Sequence, residues 1–250
     1  SRKNPVKPAP FDFAVIPLPP SIYLQEKHKI EARLPAALKF IRAQRLNEFF
    51  EGSIHEVGIV LQGGLYNTLI RSLQQFGAAD AFGTPAVPLL VLNVTFPLVP
   101  EEVTAFCAGK RAVMIIEEGQ PEYIEQEIAT MLRRRDLNTA LHGKDMMPAV
   151  GECTAEAMVD ALGAFLGQYQ SHPGVASARA WLDANTELRQ SVAGRLTEPL
   201  PGRPPSFCIG CPERPVFSAL KLAQQEVGPV HIAADIGCHA FGTFEPFSSG

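Results

Sequence analysis

Short apolar runs alternate with amphipathic stretches between residues 57 and 142. Residues 57–61, 87–94 and 112–116 each predict a buried strand, because four to eight consecutive apolar residues suit a strand covered on both faces. Helices are predicted after them by apolar residues at spacings of three and four, and a short strand near 139–142 completes the series. This order predicts right-handed βαβ units, and therefore an α/β fold with a mainly parallel sheet and flanking helices.

Residues 1–52 show a different pattern. Six prolines in the first twenty residues remove backbone donors and fix φ, which predicts an extended connector. From residue 24 to 50, apolar residues at helical spacing are interleaved with Lys and Arg, which predicts a basic amphipathic helix in which Pro35 causes a kink or begins a new turn. A solvated face explains such charges more often than contact with a phosphate or an acidic partner.

Residues 151–202 predict a helix followed by a linker. The helix covers 151–170 with Thr154 as its cap, and residues 171–202 are polar, rich in small side chains and end in prolines. A second domain is therefore predicted to begin near Arg203. The predicted organisation is a connector with a basic helix (1–52), an α/β domain (53–150), a helix and linker (151–202) and a truncated second domain (203–250).

Composition makes some classes of protein less favoured. The net charge of −4 gives no basic field for nucleic-acid binding, and no apolar run is long enough to cross a membrane. The N-terminus has no signal-peptide layout, so the cytoplasm is the expected location. An odd number of cysteines, five, argues against a disulfide framework. The absence of an initiator Met and the stop at Ser-Ser-Gly indicate a piece of a longer protein.

Three of the cysteines lie in the last fifth of the chain. Cys208 and Cys211, three residues apart on a glycine-containing turn, can direct two thiolates to one point, as ligation of a metal or an iron–sulfur cluster requires. Cys238 follows a predicted strand at 230–234, at the end where open α/β sheets bind ligands. A helix is predicted over 213–225, between the two thiol segments. A purely structural role for the C-x-x-C remains equally open.

The other polar candidates have simpler explanations. Cys107 and Cys153 are predicted core residues, because free cysteine behaves as a small buried hydrophobe. Glu117 and Glu118 follow a buried strand, where a helix cap or an interface is favoured over a binding pair. The two glycines at 63 and 64 lack a full phosphate-binding fingerprint and predict a tight connection. His239, next to a thiol, is the one histidine with a predicted functional role.

Several segments resemble a known family. Residues 203–214 (RPPSFCIGCPER), 217–221 (FSALK) and 235–238 (DIGC) resemble the opening of the thiamine-diphosphate-binding domain of the indolepyruvate ferredoxin oxidoreductase alpha subunit. The preceding transketolase-C-terminal-like domain of that family is resembled by Gly58-Ile59-Val60, Gly63, Tyr66, Asn67, Thr95-Phe96-Pro97-Leu98 and Glu117-Glu118. The chain departs from the family at Glu213, where the family usually has His, and at His239, where it usually has an aromatic residue.

The resemblance implies both fold and function. The fold is a transketolase-C-terminal-like parallel sheet with flanking helices, followed by the start of a thiamine-diphosphate-binding α/β domain. The activity is oxidative decarboxylation of an aryl 2-oxoacid with thiamine diphosphate and Mg²⁺, with electrons passing through iron–sulfur clusters to ferredoxin. By resemblance to the wider 2-oxoacid:ferredoxin oxidoreductases, Cys208, Cys211 and Cys238 lie where those enzymes hold three ligands of the iron–sulfur cluster nearest the thiamine. The residues that the resemblance implies for binding the thiamine cofactor are Asp235, Ile236, Gly237, Cys238 and His239. It identifies no catalytic residue.

The implied partners are a 2-oxoacid substrate, ferredoxin and a beta subunit or fused beta domain, within an oligomer. The Mg²⁺-binding segment of the family has no counterpart in these residues, so the fragment alone is expected to be inactive. The alternative function is a non-catalytic module that binds zinc for structure or acts as a scaffold between domains. Metal analysis separates these hypotheses, because zinc favours the alternative and iron with acid-labile sulfide favours the oxidoreductase.

Overall fold

The computed structural model of the chain describes residues 18–196, 198, 206–208, 210–232, 237–245 and 247. The chain divides into two compact units, Ser1–Arg189 and Gln190–Gly250. The first unit contains a five-stranded sheet, and the second contains the helix that follows the C-x-x-C segment. Within the described residues, no helix has the length and apolar character needed to cross a membrane.

The sheet is mixed but mostly parallel, with strand order β1-β3-β2-β4-β5. Strands β2 to β5 run parallel, and β1 pairs antiparallel with β3 at one edge. The four parallel strands confirm the predicted α/β fold, whereas β1 lies where the sequence predicted the end of a helix. The strands are β1 (Glu48–Phe50), β2 (Val57–Gln62), β3 (Leu89–Leu92), β4 (Ala112–Ile116) and β5 (Ala140–His142).

Helices cover both faces of the sheet and form two apolar cores. One core joins α3 and α6 to one face, and the other joins α4 and α5 to the opposite face. Neighbouring residues of β2 alternate between them, with Ile59 in the first core and Val60 in the second, as the two-residue period of a strand requires. The helices are α3 (Tyr66–Gln75), α4 (Pro100–Cys107), α5 (Tyr123–Arg134) and α6 (Ala155–Gln170).

The connections leave a crevice at one edge of the sheet. Strand β2 leads through α3 to β3 on one side, and β3 then leads through α4 to β4 on the other side of β2. The loops that follow β2 and β4 therefore diverge to opposite faces. In an open α/β sheet, such a topological switch point at the carboxyl ends of the strands is where ligands usually bind.

A bent helical segment precedes the sheet. It consists of α1 (Ser21–His28), a π-helical turn (Lys29–Arg33) and α2 (Leu34–Gln44), with Pro35 in the first turn of α2. Ile41 is the buried residue of α2, and α1 and the π-helical turn bury none. The basic helix is therefore confirmed, but it ends at Gln44, where the left-handed Arg45 reverses the chain towards β1.

Helices α6 and α7 follow the sheet. The Thr154 side chain caps α6 by accepting a hydrogen bond from the Ala157 N–H at 3.3 Å, which confirms the predicted cap. Within the segment predicted as a linker (171–202), Gly174–Ala193 forms the helix α7, which the sequence pattern did not predict. Its small and polar residues are compatible with a helix because only Ala178 is fully buried, so no strong apolar periodicity is needed.

The second unit contains α8 (Arg214–Val227), close to the predicted helix at 213–225, with Pro215 in its first turn. A six-residue 3₁₀ segment, Cys238–Thr243, follows it. The strand predicted at 230–234 is not formed by residues 230–232, and residues 233 and 234 lie outside the described part of the chain.

Candidate functional site

The C-x-x-C segment of the second unit forms a closed turn. The Cys211 N–H donates to the Cys208 carbonyl at 3.1 Å, and the Arg214 guanidinium donates to the same carbonyl at 3.2 Å. Gly210 has φ +76°, a conformation that non-glycine residues rarely adopt. Cys208 is exposed and Cys211 half-buried. The turn thus holds two thiols close to solvent at the start of α8.

The second thiol segment also depends on a glycine. Gly237 has φ +144° and ψ −147°, a region of backbone conformation that is essentially restricted to glycine. Gly237, Cys238 and His239 are all exposed. The remaining residues predicted to bind the cofactor, Asp235 and Ile236, lie outside the described residues.

A cluster of aromatic rings joins the two thiol segments. The ring of Phe207, which precedes Cys208, lies 5.1 Å from Phe217 of α8 and 5.7 Å from Phe241 of the 3₁₀ segment. The Phe207–Phe241 contact is edge to face, a favoured geometry for aromatic pairs. The His239 ring lies 6.1 Å from the Phe217 ring. The segments that carry Cys208 and Cys238 therefore pack on the same small core.

The thiols are not gathered into a ligand set. Among the described residues, no group of three or more His, Cys, Asp or Glu side chains is placed to hold a metal ion. The three thiols are therefore not gathered at one point in this structure, but they lie on glycine-containing segments where a ligand can reach them. The metal ligation by Cys208, Cys211 and Cys238 stays a prediction, as does the cofactor-binding role of residues 235–239.

The two cysteines of the first unit have the environment of core residues. Cys107 is fully buried, and this burial raises its pKa to about 12. Cys153 is 7% exposed. Its pKa is raised mainly by burial and to a smaller extent by the negative charge of Glu118. Because the thiolate is the reactive form, both thiols are poor ligands and nucleophiles. The predicted core role of these two residues is confirmed.

The crevice at the switch point is a second candidate site. A cavity of about 800 Å³ is lined by Gln62 at the end of β2, by the loop after β4 and by one side of α5 along its length, from Tyr123 to Arg134. The rings of Phe96 and Tyr123, each 67% exposed, line the same cavity. The sequence predicted the strand ends but gave no signal for this cavity, because it depends on where the connections cross.

Two acidic residues of that crevice serve the fold. The buried Glu117 carboxylate accepts hydrogen bonds from the backbone N–H groups of Ile124 (3.1 Å) and Glu125 (3.2 Å), so it caps α5. The Glu118 carboxylate accepts from the Cys153 N–H at 2.6 Å. The helix-cap interpretation is confirmed for Glu117. The amides that would otherwise bind a phosphate at this helix N-terminus are therefore already occupied.

A chain of hydrogen bonds links β5 to α6. His142 Nδ1 lies 2.6 Å from Asp145 Oδ2, and His142 Nε2 lies 2.6 Å from the Tyr169 hydroxyl. Asp145 also accepts from the Gly143 N–H at 2.8 Å. Burial alone would raise the pKa of Asp145, but the hydrogen bonds from His142 and Gly143 outweigh it, so the pKa is lowered. The sequence did not indicate this contact, which forms across 27 residues of chain.

Comparison with known proteins identifies the class of protein to which the chain is related. No family model matches the chain. The chain is nevertheless homologous over most of its length to a subunit of 2-oxoacid oxidoreductases. That subunit is indolepyruvate oxidoreductase subunit IorA, and the resemblance predicted from the sequence is thereby confirmed.

The relatives share one name but differ in how much of this chain, and of their own length, the match covers. Subunit IorA of Thermococcus kodakarensis is 31% identical over 192 residues, which are 76% of this chain and 26% of that protein. Subunit IorA of Methanothermobacter marburgensis is 24% identical over 255 residues, which cover 99% of this chain and 35% of that protein. The chain therefore spans between a quarter and about a third of the length of these relatives.

A solved structure was also matched. It is the 2-oxoglutarate:ferredoxin oxidoreductase from Magnetococcus marinus with 2-oxoglutarate, coenzyme A and succinyl-CoA bound. The match covers 59% of this chain and 23% of that chain, with a TM-score of 0.39 and 16% sequence identity.

Proposed function

We propose that the chain is part of the alpha subunit of a thiamine-diphosphate-dependent 2-oxoacid:ferredoxin oxidoreductase of the indolepyruvate type. The observation that carries the proposal is the homology to subunit IorA, which extends over 99% of the chain and so includes both the sheet and the thiol segments. The whole enzyme would oxidatively decarboxylate an aryl 2-oxoacid and transfer the electrons to ferredoxin.

The two units would have different tasks. The sheet unit would be the transketolase-C-terminal-like domain, and the second unit would be the opening of the domain that binds thiamine diphosphate and Mg²⁺. When bound, thiamine diphosphate supplies the stabilisation of negative charge that decarboxylation needs. Residues 235–239 would line the cofactor, and the glycine-only backbone at Gly237 would allow the chain to approach it closely.

Cys208, Cys211 and Cys238 would contribute three ligands to an iron–sulfur cluster, with the fourth outside these residues. The assignment of these three ligands is supported by their accessibility. Cys208 and Cys238 are exposed and Cys211 is half-buried, whereas Cys107 and Cys153 are buried. A beta subunit or fused beta domain, ferredoxin, an oligomeric assembly and a cytoplasmic location complete the proposal.

The test uses the full-length protein, produced anaerobically with its neighbouring subunit. Viologen reduction by aryl 2-oxoacids is measured with and without thiamine diphosphate and Mg²⁺. We expect reduction that depends on the thiamine cofactor and is faster with indolepyruvate-like substrates than with small aliphatic ones. Absence of thiamine-dependent reduction with every 2-oxoacid would refute the proposal, and stoichiometric zinc in a colourless protein would favour a structural metal module.

A further inference from the structure

An apolar groove with a basic end lies between α2 and α5. Its volume is about 450 Å³, and its walls are α2, the loop before α4 and the C-terminal half of α5. Leu34 and Leu38, one helical turn apart on α2, line one wall, and Met131 of α5 lines the other. All three are only partly buried, so the groove presents apolar side chains to solvent.

The helix that forms one wall has more apolar surface than its packing uses. Ile41 is the only buried residue of α2 and α1 has none, although Ile22 and Ile30 on the same helical segment are 47% and 57% exposed. A helix that packs so little normally has a polar exposed surface. Apolar surface of this kind, bordered by charged residues, is typical of a protein–protein contact.

Three consecutive arginines at the end of α5 have different environments. Arg133 pairs with Asp136 at 3.5 Å and does not line the groove. Arg134 and Arg135 line the groove, and within the described part of the chain neither has an ion pair or a side-chain hydrogen bond. The helix dipole stabilises basic side chains at a helix C-terminus. This effect applies equally to all three arginines, so it does not distinguish the two that line the groove from the one that does not.

The groove has one acidic residue, Glu127, whose pKa is raised by burial. The two guanidinium groups therefore dominate the charge at that end. A guanidinium without a partner is suited to bind a carboxylate through two parallel hydrogen bonds. The occupant that complements this surface is a segment with apolar side chains next to carboxylates.

We propose that this groove binds an acidic amphipathic segment of a second subunit. Apolar side chains of that segment would cover Leu34, Leu38 and Met131, and its carboxylates would pair with Arg134 and Arg135. The identification of the occupant as a separate subunit rests on the proposed function, in which this chain belongs to an assembly of unlike subunits. The chemistry of the occupant rests on the groove itself.

The experiment measures the dissociation constant between the full-length protein and its partner subunit by sedimentation. We expect the double variant Arg134→Glu/Arg135→Glu to weaken the complex by roughly tenfold or more, and to reduce the dependence of binding on salt. Arg133→Glu makes one such charge reversal, half that of the double variant, at the same helix end and outside the groove. We expect it to alter the constant by less than about twofold.

A second pair of variants tests the apolar wall without changing charge. Leu38→Ser removes an apolar side chain inside the groove, and Phe40→Ser removes a more exposed one from the same helix outside it. We expect a weaker complex for Leu38→Ser, by several-fold, and little change for Phe40→Ser. Equal effects within either pair would overturn the proposal.

The same protein preparations distinguish two other outcomes. If the groove variants lower the melting temperature of the full-length protein alone and leave the dissociation constant unchanged, the occupant belongs to the same polypeptide and the proposal is wrong. Thiamine-dependent turnover of the wild-type complex is recorded in parallel. Its absence would contradict the proposed function, while the comparison of Arg134/Arg135 with Arg133 would still decide whether the groove binds a subunit.

Discussion

The cysteines of the two compact units have opposite environments. In the first unit, Cys107 and Cys153 are buried among apolar side chains, and burial raises the pKa of both. In the second unit, Cys208 and Cys238 are exposed, and glycines with positive φ lie two residues after Cys208 and directly before Cys238. The same residue type therefore serves packing in one unit and is accessible for chemistry in the other.

The rest of each unit agrees with this difference. The first unit buries two extensive apolar cores on the faces of its sheet, and its acidic residue Glu117 caps a helix. In the second unit, the described aromatic cluster is small and centres on Phe207 and Phe217. Side chains that carry the fold are concentrated in the first unit, and the predicted ligands of cofactors are concentrated in the second.

Thiol labelling tests this contrast with the largest expected effect. In the native 250-residue chain at pH 8, we expect Cys208 and Cys238 to react with a chromogenic disulfide reagent at least about a thousandfold faster than Cys107. The thiolate fraction falls about tenfold for each unit by which the pKa rises, and burial also blocks access. Mass spectrometry of the labelled peptides measures each rate.

The control for labelling is Cys107→Ala, which should leave the amount of rapid native-state labelling unchanged. Cys107 should become reactive in denaturant, where its burial is lost. Rapid labelling of Cys107 in the folded protein would contradict the contrast between the two units.

Removal of a core side chain is the next largest effect. Phe165 of α6 is fully buried in the first core, so Phe165→Ala should lower the free energy of unfolding by about 3–5 kcal/mol. Leu188→Ala on α7, where the side chain is 61% exposed, should change it by less than about 0.5 kcal/mol. Urea unfolding followed by fluorescence of the single tryptophan, Trp181, measures both. Similar losses for the two variants would contradict the assigned core.

A smaller effect tests whether the acidic residues of the crevice are structural. Glu117→Gln replaces the carboxylate that accepts two backbone N–H groups of α5, and we expect a loss of about 1–2 kcal/mol in unfolding free energy. Glu101→Gln is the matched control, because Glu101 is exposed and forms only a long ion pair with Arg42. If both variants are equally stable, Glu117 is free for another role.

Sequence patterns predicted the elements that burial determines. Strand β4 was predicted with its observed limits, because every residue from Ala112 to Ile116 is buried and apolar. The three-residue strand β1 was missed, since it is too short for a pattern and depends on pairing with β3. Helix α7 was not predicted, because its packing buries few side chains and therefore needs no strong apolar periodicity.

The candidate site was predicted less completely than the fold. The thiols of Cys208 and Cys238 and the glycines near them were visible in the sequence. The positive φ of Gly210 and Gly237 explains why glycine stands at these two positions. Residues 230–232, which are the described part of the strand predicted before Cys238, do not form a strand. The switch-point crevice and the groove between α2 and α5 arise from tertiary contacts, which a local pattern does not encode.

The smallest effect concerns pH and the Asp145–His142 contact. Because the pKa of Asp145 is lowered in the folded state, its contribution to stability is present above its ordinary value of 3.8 and is lost as pH falls through the lower folded value. Wild type should therefore lose stability on acidification slightly more steeply than Asp145→Asn. The difference should be a few tenths of a kcal/mol, since the side chain is half exposed.

Unfolding free energies between pH 3 and 6 measure this difference. The other acidic residues titrate equally in both proteins, so the difference between the two curves isolates Asp145. Parallel curves would show that the contact contributes nothing to stability.

The measurement that tests the account most directly is the iron and acid-labile sulfide content of the full-length protein after anaerobic purification. We expect Cys208→Ala and Cys238→Ala to contain less iron and acid-labile sulfide than wild type and to absorb less visible light, while Cys107→Ala retains wild-type content. Equal iron and sulfide in all of these proteins would contradict the assignment of cofactor chemistry to the exposed thiols.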